Sequence, residues 1–239
     1  MKYKNPDHDM CCPFRIYDYK YSYRPDNSYQ PLTVSTIKLS NSNDKIIENI
    51  QIPVFQDGID PGILEKLNRN IKADIMEFKE QMETAADEYA EKLKKLGRKP
   101  NPYKISTTYS VTYNKNNILS ISLFFQEYIS GRNSYIRTTY NYDLRTGESI
   151  PLKRLFKPGV NYLSALNRKA GEYLQAYSPA TLSQFKGIRE DQPYYLDSNS
   201  LVLFPAFNEI AGAAADIPVI RLPLTSLSNI LNSRLLDNY

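Results

Sequence analysis

A single apolar stripe runs through residues 60–96 and is the strongest pattern in the chain. Large apolar side chains recur there every three or four positions, which is the period of one helix face. Asp60 is a favourable N-cap with Pro61 in the first turn, and Gly97 follows the last apolar position. The spacing predicts one helix about 50 Å long. Its stripe consists of Leu64, Leu67, Ile71, Ile75, Phe78, Met82, Tyr89, Leu93 and Leu96.

Alternating apolar and polar residues on both sides of this helix predict strands. The five strands are residues 32–39, 46–55, 105–113, 119–125 and 135–144. Pro53 indicates that the second strand lies at a sheet edge or contains a bulge. Residues 114–117 and the segment around Gly131 have the composition of turns. The last three strands form a meander with one apolar face, which we expect to pack on the long helix.

The last third of the chain contains shorter elements. They are a helix over residues 160–177, short strands at 194–196, 201–204 and 217–222, and a closing helix at 224–235. We therefore predict an α+β fold, with an antiparallel sheet packed on a long helix and a smaller C-terminal α/β unit. The predicted domains are residues 1–157, of which 1–15 form a flexible tail, and residues 158–239.

The composition is that of an ordinary globular chain. Of 239 residues, 41% are hydrophobic and 23% are charged, and 30 Lys and Arg against 26 Asp and Glu leave a net charge of +4. This excess is too small to indicate a nucleic-acid partner without a clustered basic patch. No run of about 18 apolar residues occurs, so the sequence predicts no membrane span. Residues 1–14 also lack the pattern of a secretory signal.

Few residues could carry metal or nucleophile chemistry. His8 is the only histidine, and Cys11 and Cys12 are the only cysteines. These three could hold a metal ion, or the thiols could be unpaired in the N-terminal tail, and the usual spacing of structural zinc ligands favours the second interpretation. We therefore expect no metal site and no cofactor. A histidine in the tail also leaves no His-assisted serine or cysteine nucleophile.

Two acidic pairs keep a hydrolytic alternative open. Glu190 with Asp191, or Glu209 with Asp216, could act together in glycoside hydrolysis, as in a cell-wall hydrolase. Acidic residues in loops are more often solvated or cap helices. We therefore predict that the chain is not an enzyme.

Motifs in the second half of the chain resemble a known family. They are Tyr-Asn-Tyr-Asp-Leu-Arg-Thr-Gly-Glu at 140–148, Leu-Lys-Arg-Leu-Phe at 152–156, Asn-Glu-Ile-Ala at 208–211 and Asp-Ile-Pro-Val-Ile-Arg-Leu-Pro-Leu at 216–224. As a set, they resemble the paired extracytoplasmic domains of unknown function found in the lysozyme-sensing anti-sigma factor RsiV. The same pair occurs in the non-catalytic region of some peptidoglycan deacetylases. The resemblance extends over residues 32–239.

The resemblance implies binding rather than catalysis, at the cell surface or elsewhere outside the cytoplasm. The best-understood member binds lysozyme, so the expected partner is a lysozyme-like protein or a peptidoglycan fragment. The family's Pro-Tyr after Glu-Ile-Ala is replaced here by Gly212-Ala213. This departure falls in a loop, where partner choice is normally made.

We expect the ligand to contact Phe207, Asn208, Glu209 and Asp216. The small residues 212–215 would let a partner's backbone approach closely. The two carboxylates could meet the basic groups of a cationic lysozyme and guide its approach. In the other interpretation, these residues merely turn the chain.

Overall fold

A computed structural model of the chain describes residues 30–178, 182, 185–204 and 219–233. Its helices and strands, in chain order, are β1 (Thr33–Ser42), β2 (Ile46–Gln56), α1 (Pro61–Lys95), β3 (Tyr103–Lys115), β4 (Ile118–Ile129), β5 (Arg132–Asp143), β6 (Glu148–Ser149), α2 (Tyr162–Tyr177), β7 (Tyr194–Leu196), β8 (Ser200–Leu203) and β9 (Ile220–Pro223). Two short 3-10 turns, Leu152–Leu155 and Leu224–Leu227, complete the described elements.

Helix α1 confirms the interpretation of the long apolar stripe. The Asp60 side chain accepts hydrogen bonds from the backbone N–H groups of Gly62 and Ile63, at 2.9 and 3.1 Å. Gly97 adopts φ +66° just past the other end, in the left-handed region that commonly ends helices. The helix is 35 residues long. Its buried residues are Leu67, Ile71, Ile75, Ala86 and Ala90.

The large sheet has six strands in the order β1-β2-β3-β4-β5-β6. Four of its five pairings are antiparallel. The fifth, between β2 and β3, is parallel and short, from Ile46 opposite Tyr103 to Asn49 opposite Ser106. It is parallel because α1 carries the chain from the end of β2 back to the start of β3, as in other crossover connections. The predicted α+β architecture is confirmed.

Side chains replace backbone pairing where β2 diverges from β3. The buried hydroxyl of Thr107 accepts from Gln51 N at 2.8 Å and donates to Gln51 O at 2.9 Å. Further along β2, the Asn68 amide of α1 forms two bonds of 2.9 Å with the backbone N–H and C=O of Phe55. Pro53 lies between these two positions, where β2 has no backbone ladder with β3. Proline is tolerated at such an open edge.

Two-residue turns set the register of the meander. Asn116 and Asn117 have φ 53° and 58°, and Ser130 and Gly131 have φ 50° and 85°. Two positive φ values in a row are typical of the type I′ turn that fits the twist of a hairpin. The second turn is shorter than the sequence predicts, so β5 begins at Arg132 instead of residue 135.

An apolar cluster lies on each face of the large sheet. Between the sheet and α1, buried side chains of β2, β3, β4 and β5 surround the helix stripe. On the opposite face, which we call the back face, Tyr113 and Ile118 pack with α2 and the small sheet. Residues 118–123 of β4 are all buried. Alternate side chains of this strand therefore point into different layers.

The C-terminal unit consists of α2 and an antiparallel three-stranded sheet in the order β7-β8-β9. The prediction of a closing helix at 224–235 is wrong within the described residues, because Leu231 forms a β-bridge with Phe156 instead. Backbone bonds from Lys157 N to Ile230 O and from Asn232 N to Leu155 O flank this bridge, at 2.9 and 2.8 Å. Backbone groups paired in this way are not available to an α-helix. The bridge joins the predicted domains 1–157 and 158–239, whose boundary stays a prediction.

A buried ion pair connects α1 to β2. The side chain of Glu48 is 1% exposed, and its Oε1 lies 3.3 Å from the Lys79 ammonium. This is an ion-pair distance, although no described group forms a hydrogen bond with that oxygen. Lys79 also contacts Glu83, at 2.6 Å. Burial opposes the charge of Lys79, but the two carboxylates outweigh it and raise the pKa of Lys79.

Replacing Lys79 by Ala should lower the free energy of unfolding by about 3–5 kcal/mol, because Glu48 is then left charged and buried without its partner. Lys45→Ala is the matched control, since its pair with Asp87, at 2.8 Å, is exposed and exposed ion pairs contribute little to stability. Because the pKa of Lys79 is raised, its contribution is complete at neutral pH and is lost only as the pH rises through that raised value. Urea unfolding of both variants measures the difference, and equal losses would contradict this account.

Candidate functional site

The ligand-binding residues predicted from the sequence lie outside the described residues, as do the candidate metal ligands of the N-terminus. These are Phe207, Asn208, Glu209 and Asp216 in the first group and His8, Cys11 and Cys12 in the second. The nearest described residues on either side of the first group are Phe204 and Val219. Both belong to a small apolar cluster with Tyr195 and Val202 on one face of the small sheet.

The Glu190–Asp191 pair is described, and it is poorly suited to acid–base work. Both residues are exposed, and Asp191 Oδ1 accepts a hydrogen bond from Arg189 Nε at 2.9 Å. This bond lowers the pKa of Asp191, whereas the acid of a glycosidase needs a raised pKa. The described residues contain no cluster of three His, Cys, Asp or Glu side chains that could hold a metal ion. No described helix has the length and hydrophobicity needed to cross a membrane.

A buried polar network fixes the small sheet onto the back face of β4 and β5. The Ser120 hydroxyl donates to Asn141 Oδ1 at 2.5 Å and accepts from Leu196 N at 3.0 Å. The Asn141 amide donates to Tyr194 O at 2.8 Å. The outer edge of β7 is therefore paired with side chains of the large sheet, so these two layers are held at a defined distance.

Next to this network, one arginine is surrounded by aromatic rings from both sheets. Arg137 of β5 is directly opposite Phe124 of β4 in the hairpin register. Its guanidinium carbon lies 4.5 Å from the centre of the Phe124 ring, 5.4 Å from that of Phe204 and 6.0 Å from that of Tyr195. These distances are typical of cation–π contacts. We call this group of four residues the arginine cage.

The small sheet holds its two rings of the cage by backbone contacts. Tyr195 lies in β7, between the two residues that bond to the Ser120–Asn141 network. Phe204 follows β8, and its carbonyl accepts a hydrogen bond of 2.6 Å from the buried Gln192 side chain. The two ring centres are 6.2 Å apart. The cage is therefore built on strands and their immediate ends.

Three buried polar atoms at this place have no hydrogen-bond partner among the described residues. They are Nε and Nη1 of Arg137 and the hydroxyl oxygen of Ser122. Ser122 lies on β4 two residues from Phe124, and its register partner, Thr139, lies two residues from Arg137. Ser122 and Arg137 are thus diagonal neighbours on the same face. Unsatisfied buried donors are uncommon in native proteins and require an explanation.

The charges around the cage favour an anion. Burial lowers the pKa of Arg137, and the nearby Arg221 of β9 acts in the same direction. Arginine nevertheless stays protonated in proteins at neutral pH, so the cage carries a fixed positive charge. Arg221 itself forms an ion pair with Asp197. The cage can therefore attract and orient an oxyanion, and it is not suited to transferring a proton.

Sequence reasoning did not single out Arg137, although one signal for it was present. A two-residue turn at Ser130-Gly131 fixes the register of the β4–β5 hairpin. Counting the same number of residues back along β4 and forward along β5 from this turn places Phe124 opposite Arg137. The alternation of β4 places Phe124 on the face away from Leu123 and Phe125. The contribution of Tyr195 and Phe204 depends on how the second sheet docks, and no local pattern encodes that.

Replacing Arg137 by Met should leave the free energy of unfolding unchanged or raise it. The variant loses cation–π contacts of about 0.5–2 kcal/mol but removes two buried N–H groups that each cost about 1–3 kcal/mol when unpaired. The contrast is Asn141→Ala, which should lower it by about 1–3 kcal/mol because Ser120 and the Tyr194 carbonyl lose their partner. Denaturant unfolding of both variants measures these changes. If Arg137→Met lowers the free energy of unfolding by more than about 2 kcal/mol, the role of Arg137 is structural.

Comparison with known proteins finds one matching family model and solved structures that share the fold. Residues 39–132 match the family model described as Deacetylase PdaC. This match runs from Leu39 in β1 to Arg132, the first residue of β5, and therefore does not include Arg137. No curated protein sequence matches the chain.

Two crystal structures from the DUF3298 family share the fold over nearly the whole chain. The protein from Bacteroides fragilis has a TM-score of 0.68 and 18% identity, over 86% of this chain and 95% of that one. The protein from Pseudomonas aeruginosa has a TM-score of 0.62 and 17% identity, over 87% of this chain and 97% of that one. The specific link to RsiV stays a prediction. The chain thus shares the fold of these two DUF3298 proteins, and its residues 39–132 are similar to the Deacetylase PdaC family model.

Proposed function

We propose that the chain is a non-catalytic binding or sensing module that recognises a lysozyme-like protein or a cell-wall glycan. The observation that carries the proposal is the arginine cage. A guanidinium packed against aromatic rings, with two N–H groups that bond to no described residue, is suited to recognition, because it offers charge and directed donors without exchanging a proton at neutral pH.

The two partner classes would use different charges of the chain. A cationic lysozyme would be attracted by carboxylates, and the sequence offers Glu209 and Asp216 for that contact. A cell-wall fragment that carries carboxylates would be attracted by Arg137 and Arg221. The described geometry supports the second class more strongly, since the cage combines a partly buried positive charge with two donors that bond to no described residue.

The competing function is a cell-wall hydrolase that uses two carboxylates. The lowered pKa of Asp191 argues against the described acidic pair, and no other described feature favours the hydrolase. Release of reducing sugar from purified peptidoglycan, abolished by Glu209→Gln, would establish the hydrolase and contradict the binding module.

We also propose that the protein works outside the cytoplasm, as the resemblance to cell-envelope domains implies. Fractionation of the source cells, with an antibody against the chain, tests the location. Recovery in the cytosolic fraction alone would contradict it.

Wild-type protein should be retained by purified peptidoglycan or by an immobilised lysozyme. If lysozyme is the ligand, the charge reversals Glu209→Lys and Asp216→Lys should weaken retention and its dependence on salt, because they replace attraction by repulsion. If peptidoglycan is the ligand, both reversals should leave retention unchanged or stronger. Pull-down at low and high salt measures this. A wild-type chain that is retained by neither material would show that the proposed function is wrong.

A further inference from the structure

We propose that the arginine cage is a receptor site for a carboxylate group, which Arg137 binds through the edge of its guanidinium. This inference rests on the proposed binding function and narrows it to one ligand chemistry and one site. The carboxylate could belong to an acidic sugar or to the C-terminus of a peptide, and the experiment below separates these two sources.

The first argument concerns the unused donors. Arginine has five N–H donors in one plane, and no described acceptor bonds to Nε or Nη1 of Arg137. Both atoms are buried, while the residue as a whole is partly exposed, so a ligand reaches them once the side chain shifts toward its exposed side. Turning the side chain toward a ligand breaks no hydrogen bond at either atom. A ligand oxyanion therefore gains charge-assisted bonds while nothing equivalent is lost.

The second argument concerns the shape of the site. Rings from both sheets lie against the guanidinium, at 4.5 Å for Phe124 and 5.4 Å for Phe204. These contacts hold the guanidinium without supplying an oxygen or nitrogen acceptor for its N–H groups. A planar carboxylate can align with an edge of the guanidinium and accept two parallel bonds, one from Nη2 and one from Nε or Nη1. A phosphate bound through two oxygens keeps two more, which the neighbouring Phe124 and Phe204 rings cannot hydrogen-bond.

The third argument concerns the surroundings of the cage. Arg221 adds a second positive charge nearby, and its partner Asp197 neutralises it only in part because the pair is exposed to solvent. The buried hydroxyl of Ser122 supplies another unsatisfied polar group on the same face. A bound anion is favoured by both features, whereas a cation would be repelled.

The experiment is isothermal titration calorimetry with two pairs of probes. N-acetylmuramic acid carries its carboxylate on a sugar, and N-acetylglucosamine is the matched sugar without it. N-acetyl-D-alanyl-D-alanine carries a peptide carboxylate, and its C-terminal amide is the matched neutral peptide. Wild type should bind at least one acidic probe at least about tenfold more tightly than its neutral partner, which is the difference expected for a hydrogen-bonded charge pair. Inorganic phosphate should bind more weakly than that probe.

Arg137→Met should lose that preference, and Arg137→Lys should retain only part of it, because an ammonium keeps the charge without the planar donors. Arg132→Met is the matched control, since Arg132 lies exposed on the same strand and carries the same charge. It should bind like wild type. Circular dichroism and thermal unfolding of each variant show whether the fold is intact.

The outcomes separate this inference from the proposed function. If wild type and Arg137→Met, both folded, bind an acidic probe equally, the cage is not the receptor, although the binding module stands. If wild type binds lysozyme but neither acidic probe, the inference is overturned and the protein-binding form of the proposed function is kept. If phosphate binds more tightly than both carboxylates, the ligand class is wrong. If nothing binds wild type, including peptidoglycan and lysozyme, both proposals fail.

Discussion

Strand β4 is covered by a different layer on each face, and the rest of the structure depends on this double burial. Its odd-numbered side chains, Leu119, Ile121, Leu123 and Phe125, pack in the cluster under α1. Its even-numbered side chains meet the C-terminal unit, through Ile118 in the second apolar cluster and Ser120 in the polar network. A one-residue slip of β4 would exchange these two sets. The positive-φ turns on both sides of β4 oppose such a slip and so specify both layers at once.

The two layers differ in how they satisfy polar groups. Under α1 the contact is mainly apolar, with the Glu48–Lys79 pair at its edge. On the back face, polar side chains of the large sheet meet the backbone edge of β7. Ser120 and Asn141 form hydrogen bonds with backbone groups of that edge and so hold β7 in place. Ser122 and Arg137 lie on that same face, with polar atoms that no described residue satisfies. The proposed recognition of a ligand at this place would account for these atoms.

The sequence predicts most of the large sheet and α1 because their information is local. The apolar stripe with Asp60 and Gly97 at its ends defines the helix, and the Asn-Asn and Ser-Gly turns define the meander. The parallel pairing of β2 with β3 was not evident, because it depends on where a 35-residue helix returns the chain. The closing helix fails for a related reason. Leu231 forms a β-bridge with Phe156, which lies 75 residues earlier in the chain. The arginine cage likewise combines residues of three strands and one loop, so no single motif contains it.

The most direct test of this account is a measurement of the Arg137 Nε proton by nuclear magnetic resonance, with the signal assigned by its disappearance in Arg137→Lys. Burial between aromatic rings without an acceptor predicts that this proton exchanges with water more slowly than that of the exposed Arg132. It also predicts that N-acetylmuramic acid or N-acetyl-D-alanyl-D-alanine shifts the signal downfield in a saturable way, as a hydrogen bond to a carboxylate forms. Exchange as fast as that of Arg132, or a signal that neither acid moves, would contradict the account.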